Sequence, residues 1–177
     1  MTPKFIRLLT MMFSILLLLS ACNDDNVNVV RILPYTLSWE VPAGLNNFDT
    51  HFFEFNGIDN RSSEFFGSEL PLSEVKSVRA RRADLLLLGN NINFDEVRSV
   101  EVWIYSDQDR EKDYEVFYTL DLRNRSGRQA ISLIPSLSDI SDLYVDDSFT
   151  VEVRINFWTV SSTTLPVRME WEFEAIQ

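Results

Sequence analysis

Few of the 177 residues of this chain are of a type and spacing that could do chemistry. One histidine, His51, sits among phenylalanines in THFFEFNGI, so a Ser-His-Asp relay would have to use a side chain whose neighbours point to packing. A hydrogen-bonded, packed histidine is its expected role. No Gly-x-Ser-x-Gly elbow, P-loop or dinucleotide fingerprint occurs, and only five glycines are present to build one. Glu170, Glu172 and Glu174 fall on one strand face, where paired carboxylates could in principle cleave a glycosidic bond. That reaction needs an enclosing cleft with two carboxyls at a set distance, and like charges beside arginines describe a wet sheet face instead. Asp107, Asp109, Glu111 and Asp113 in one loop, and Asp139, Asp142, Asp146 and Asp147 in another, could offer oxygens to calcium. Neither has the spacing of a calcium loop with its glycine, so both are expected as solvated loops. One His and one Cys leave zinc without a ligand set. The chain is therefore expected to be non-enzymatic, without catalytic residue, metal or cofactor, with a small hydrolase as the lesser alternative.

Binding has better candidates. Strand alternation places Trp103 and Tyr105 on a side with Glu101, Phe117 with Glu115 and Asp121, and Trp158 with Glu152, Arg154 and Asn156. If these aromatics cluster, they make a flat stacking platform for sugar rings or for a partner protein. The competing reading has that face covered by Leu72–Leu88 or by a second sheet, which makes the same residues core. Phe48, Phe52, Phe65 and Phe66 carry the same ambiguity between loop-tip contact and packing. Arg79, Arg81 and Arg82, the one basic cluster, read as charge balance on a strand edge, where charges also discourage unwanted sheet addition.

The elements that would position these residues are strands. Tyr35, Leu37, Trp39 and Val41 alternate with polar residues until Pro42-Ala43-Gly44 breaks the run. Residues 50–58 form a second strand, with Asn56-Gly57 and Asp59-Asn60 as turn chemistry at its end. Leu72–Leu88 is ambiguous between helix and strand, and strand is favoured; Phe94–Val97 is read as one helical turn. Val100, Val102 and Ile104, then Val116, Tyr118, Leu120 and Leu122, form a hairpin around a charged loop, and residues 130–134 a short strand stopped by Pro135. Between 136 and 147, Ile140, Leu143 and Tyr144 are available to plug an open end. Phe149 to Phe157 and Val167 to Ala175 carry the longest alternations and are expected to pair. Seven to nine strands with short polar turns predict an all-β fold, an antiparallel β-sandwich of immunoglobulin-like or jelly-roll-like type, over residues 34–177.

The N-terminus decides where this domain resides. Lys4 and Arg7 precede the apolar run LLTMMFSILLLL, too short for a confident membrane span, and Leu19-Ser20-Ala21-Cys22 follows with the single cysteine of the chain. This stretch resembles the lipobox of bacterial lipoproteins. The resemblance implies a signal peptide over 1–21, a lipidated tether over 22–33, and a membrane held through acyl chains on Cys22. Two or more chains hold a protein stably where one holds it marginally. Asn23-Asp24-Asp25-Asn26 resembles the export signal of Bacteroidetes surface lipoproteins, which implies an outer-membrane anchor facing outward rather than into the periplasm. Cleavage removes Lys4 and Arg7 and takes the net charge from −11 to −13, which disfavours nucleic acid as a partner. With Cys22 acylated, no internal disulfide can form. The expected function is to present the domain to a glycan or an envelope protein. The alternative is an assembly subunit that docks through an edge strand.

Overall fold

The computed structural model describes residues 28–67, 69–122 and 127–177, so Cys22 and the signal peptide lie outside the described residues. Eight strands account for almost all regular structure: β1 (Val29–Val41), β2 (His51–Asp59), β3 (Ser77–Leu87), β4 (Val97–Ser106), β5 (Asp113–Tyr118), β6 (Ala130–Pro135), β7 (Ser148–Phe157) and β8 (Leu165–Ile176). One helical turn at Ser62–Phe65 and two 3-10 turns at Leu72–Glu74 and Ser141–Tyr144 complete it. The chain is all-β and antiparallel. Its β1 begins at Val29, inside the stretch read as tether.

The strands run in the order β1-β8-β3-β6-β5-β4-β7-β2. This is a rolled hairpin, with β1 on β8, β2 on β7, β3 on β6 and β4 on β5, the strand order of a jelly roll. The sheet is continuous, because β6 pairs with β3 on one side and, through Ile134 and Pro135, with β5 on the other. It curls so that its halves share one core. Tyr35 of β1 packs against Phe149 of β7 at 5.6 Å between ring centroids, and Phe117 of β5 stacks on Phe173 of β8 at 5.9 Å.

The two longest alternations bury their apolar residues as expected: Phe149, Val151, Val153, Ile155 and Phe157 on β7, and Val167, Met169, Trp171, Phe173 and Ala175 on β8. They do not pair with each other. β7 lies between β4 and β2, and β8 between β1 and β3. Alternation fixes which face of a strand is buried and leaves its neighbours open, and the 158–164 connection crosses between the halves. Residues 72–88 resolve as a 3-10 turn leading into β3, which is a central strand and not an edge. Arg79 accordingly pairs with Glu174 across β8 at 2.8 Å, and Arg81 with Glu172. Asn56-Gly57 lies at a bulge inside β2, where Gly57 takes φ +67°, rather than at the strand's end. Residues 94–97 form a hydrogen-bonded turn, not a helix.

Strand direction sorts the connections to two ends. The start of β1, the end of β8 and the 60–67, 69–76, 107–112 and 136–147 stretches lie at one end, and the 42–50, 88–96, 119–122, 127–129 and 158–164 stretches at the other. Ile140, Leu143 and Tyr144 plug the first end as expected, each at most 2 % exposed. Asn60, 1 % exposed, ties that end together. Its amide donates to the carbonyls of Leu143, at 3.1 Å, and Asp146, while its own carbonyl accepts from the Tyr35 hydroxyl at 2.6 Å. No helix among the described residues is long and apolar enough to cross a membrane.

Candidate binding surface

The outward residues of β2, β7, β4 and β5 form one face. Register sets Phe52 opposite Arg154, Glu101 opposite Arg154, and Glu152 between Glu54 and Trp103. The Arg154 guanidinium lies 4.3 Å from the Trp103 ring centroid and 5.6 Å from that of Phe52, so ring, cation and ring form a ladder across three strands. Two bonds fix the cation, donated to Glu152 at 2.6 Å and to the Tyr105 hydroxyl at 2.8 Å, and Tyr105 in turn donates to Glu152 at 2.9 Å. Burial, and then the Glu152 carboxylate, raise the Tyr105 pKa, so this hydroxyl stays protonated. Glu115 lies on the same face, and its pKa is raised by desolvation and by the nearby charge of Glu101. Phe52 remains 59 % exposed. Nothing from Leu72–Leu88 covers this face, because that segment is built into the other half of the sheet.

Of the four aromatics singled out from the sequence, Trp103 and Tyr105 meet on this face, both half-buried. Trp158 continues it toward the 158–164 end, under the Arg98 guanidinium at 4.9 Å. Phe117 does not belong to it. The β4–β5 register shifts between Val102 and Trp103, which leaves Val116 unpaired and turns both Val116 and Phe117 inward, each fully buried. A bulge inverts the alternation, so Phe117 is core. Leu120, expected on the apolar side of a longer strand, lies beyond the end of β5 and is 68 % exposed. Phe65 is buried and Phe66 half-buried against Tyr144, while Phe48 is 90 % exposed at the tip of the 42–50 loop.

That loop is pinned and not free. Ser161, 2 % exposed, accepts from the Leu45 amide at 2.9 Å and donates to the Pro42 carbonyl at 3.1 Å. His51 packs edge-on against Phe157, and its Nε2 lies 2.8 Å from the Asn46 carbonyl. The acidic loops are engaged by protein donors: Asp107 accepts from Thr150 at 2.6 Å, Asp146 from Ser106 at 2.7 Å and Asp142 from Tyr114 at 2.9 Å. Burial and the Asp142 carboxylate push the Tyr114 phenol up to about 12. Among the described residues no group of three or more His, Cys, Asp or Glu is placed to hold a metal ion.

Arg154 and Phe52 are the members of the face that sequence reading did not join to Trp103. Their meeting depends on β2 pairing with β7, strands nearly 100 residues apart. The one available signal was an outward arginine in the longest apolar alternation.

No family model matches the chain, and no curated protein matches it. Among solved structures, a chain described as Desmodium yellow mottle tymovirus is similar at 11 % identity and a TM-score of 0.29. The alignment covers 86 % of this chain and 89 % of that one. A likeness at that score carries no functional inference.

Proposed function

We propose that this is a lipid-anchored, non-enzymatic envelope lipoprotein that holds an all-β domain out from a bacterial outer membrane and binds a glycan or another envelope protein on it. The observation that carries the reading is the Phe52–Arg154–Trp103 ladder, an aromatic surface on a sheet face that no described element covers, with a hydrogen-bonded cation at its centre. An exposed Phe52 ring beside a half-buried Trp103, rimmed by carboxylates, suits stacking on a pyranose or on a partner's side chains. The lipobox at Cys22 supplies the anchor. Because β1 leaves the tether at one end of the domain, the face stands alongside the tethered axis, open to ligands in the surrounding space.

The test is a glycan array and an envelope-protein overlay probed with the purified domain, wild type beside Phe52→Ala and Trp103→Ala. Binding to a glycan or envelope protein that both substitutions weaken at least roughly tenfold, about 1.4 kcal/mol, supports the reading. Binding that both leave unchanged contradicts the assignment of the face.

A further inference from the structure

A second surface lies at the end of the domain away from the tether, and it rests on the glycan branch of the reading above. The 13 residues of β1 run from the tether side at Val29 to Val41, a span of roughly 40 Å at about 3.3 Å per residue. Val41 pairs with Leu165. Beside Leu165, the 88–96 and 158–164 connections enclose a cleft of about 320 Å³, lined on one side by residues 91–93, Asp95 and Glu96, and on the other by Ser162 and Thr163. That volume is at the lower end of small-molecule sites and fits one or two sugar rings.

The walls are fixed from behind. Glu96 accepts from the Ser162 amide at 2.8 Å, which ties the two connections together. The Asn93 side chain accepts from the Asp95 amide at 3.0 Å, and the Asp95 carboxylate, itself in the lining, accepts from the Gly127 amide at 2.6 Å. Gly89 lets Ile92 pack close, since a Cβ there would come within 2.8 Å of the Ile92 Cδ1. Ile92 and Leu165 give one apolar wall, and amides, hydroxyls and two carboxylates give the rest. That mixture matches a pyranose, whose ring has an apolar face and a rim of hydroxyls that both donate and accept. Among the described residues the lining includes two carboxylates and no Lys or Arg, so a uronate, sulfate or phosphate would meet like charge there and lose hydration without a counter-charge. Trp158 stands next to the cleft, its amide donating to the Glu96 carbonyl at 2.8 Å.

We infer that this tether-distal cleft between the 88–96 and 158–164 connections binds a neutral sugar unit of a glycan. The test is an amide NMR titration of the domain with maltose, cellobiose, mannobiose and lactose, and separately with glucuronate. The expected result is that at least one neutral disaccharide shifts the amides of 89–96 and 162–165, with Kd on the order of 1 mM, as a shallow site supports. Glucuronate should leave those amides in place. Thr163→Arg, an exposed loop substitution that fills the cleft, should raise that Kd at least roughly tenfold with the remaining spectrum unchanged. Sugar-induced shifts confined to the Phe52–Trp103 face overturn the cleft while leaving the proposed function standing. Shifts at the cleft with glucuronate overturn its charge selectivity. No shift anywhere with any sugar overturns the inference and removes the glycan branch, leaving the protein-partner branch to the overlay.

Discussion

Arg154→Ala is the substitution that most sharply probes the outer face. It removes a guanidinium 4.3 Å from the Trp103 ring centroid, a contact of about 0.5–2 kcal/mol depending on desolvation. It also removes the bond to Glu152, whose partners are only 24 % and 13 % exposed as side chains; charge-assisted bonds in such settings contribute about 1.5–3 kcal/mol. Glu152 would then face Glu54 across the β2–β7 pair without its own cation, while Arg110 still pairs with Glu54 at 2.6 Å. These contributions overlap, since one side chain makes both, and the expected loss is about 2–3 kcal/mol. Urea unfolding should report it as a midpoint lower by roughly 1 M at an m-value of about 2 kcal/mol/M, with m itself unchanged. Arg154→Lys keeps the charge but loses the planar stack and the fork of donors, so it should fall between the two, about 1 kcal/mol below wild type. A loss under about 0.5 kcal/mol for Arg154→Ala, or a lysine variant as stable as wild type, would refute the view that the ladder organises this face.

Other substitutions separate core from surface and fix the signs of pH effects. Phe117→Ala should cost about 3–5 kcal/mol in denaturant unfolding, a cost that a surface binding residue would not carry. Asn60→Asp places a carboxylate against the Leu143 and Asp146 carbonyls. Its folded-state pKa must therefore rise, and stability should be lost as pH climbs above the ordinary Asp value, with a deficit of about 3–5 kcal/mol at neutral pH. Glu115 follows the same sign, since desolvation and Glu101 raise its folded pKa: ionising it costs stability as pH rises through the carboxylate range. Glu115→Gln should then raise the melting temperature at pH 7, and the gain should shrink toward pH 4.

Faces were legible in the sequence, and partners were not. Period-two alternation picked out β1, β4, β7 and β8 and the buried side of each, because a pleated strand must place alternate residues on opposite faces. Where a bulge intervenes, as at Val116, alternation gives the wrong side, and Phe117 moves from a binding face to the core. Strand order was hidden for a different reason. In a rolled hairpin every pairing except β4–β5 and β5–β6 joins strands distant in sequence, and nothing local in β7 names β2 as its neighbour. That is why Trp103 and Tyr105, neighbours on one strand, were found together, while the cation from β7 and the ring from β2 that complete their face were not. The tether-distal cleft left still less trace, because its Asn, Ser and Thr residues look like ordinary turn chemistry until two connections about 70 residues apart are brought side by side.

Protease shaving of intact cells tests the proposed lipid-anchored, outward-facing display most directly. With wild type, the domain should be released from whole cells, while Cys22→Ala should abolish both the membrane association and the shaving. A domain that resists protease until the outer membrane is opened would contradict outward display, and membrane association that survives Cys22→Ala would contradict the anchor itself.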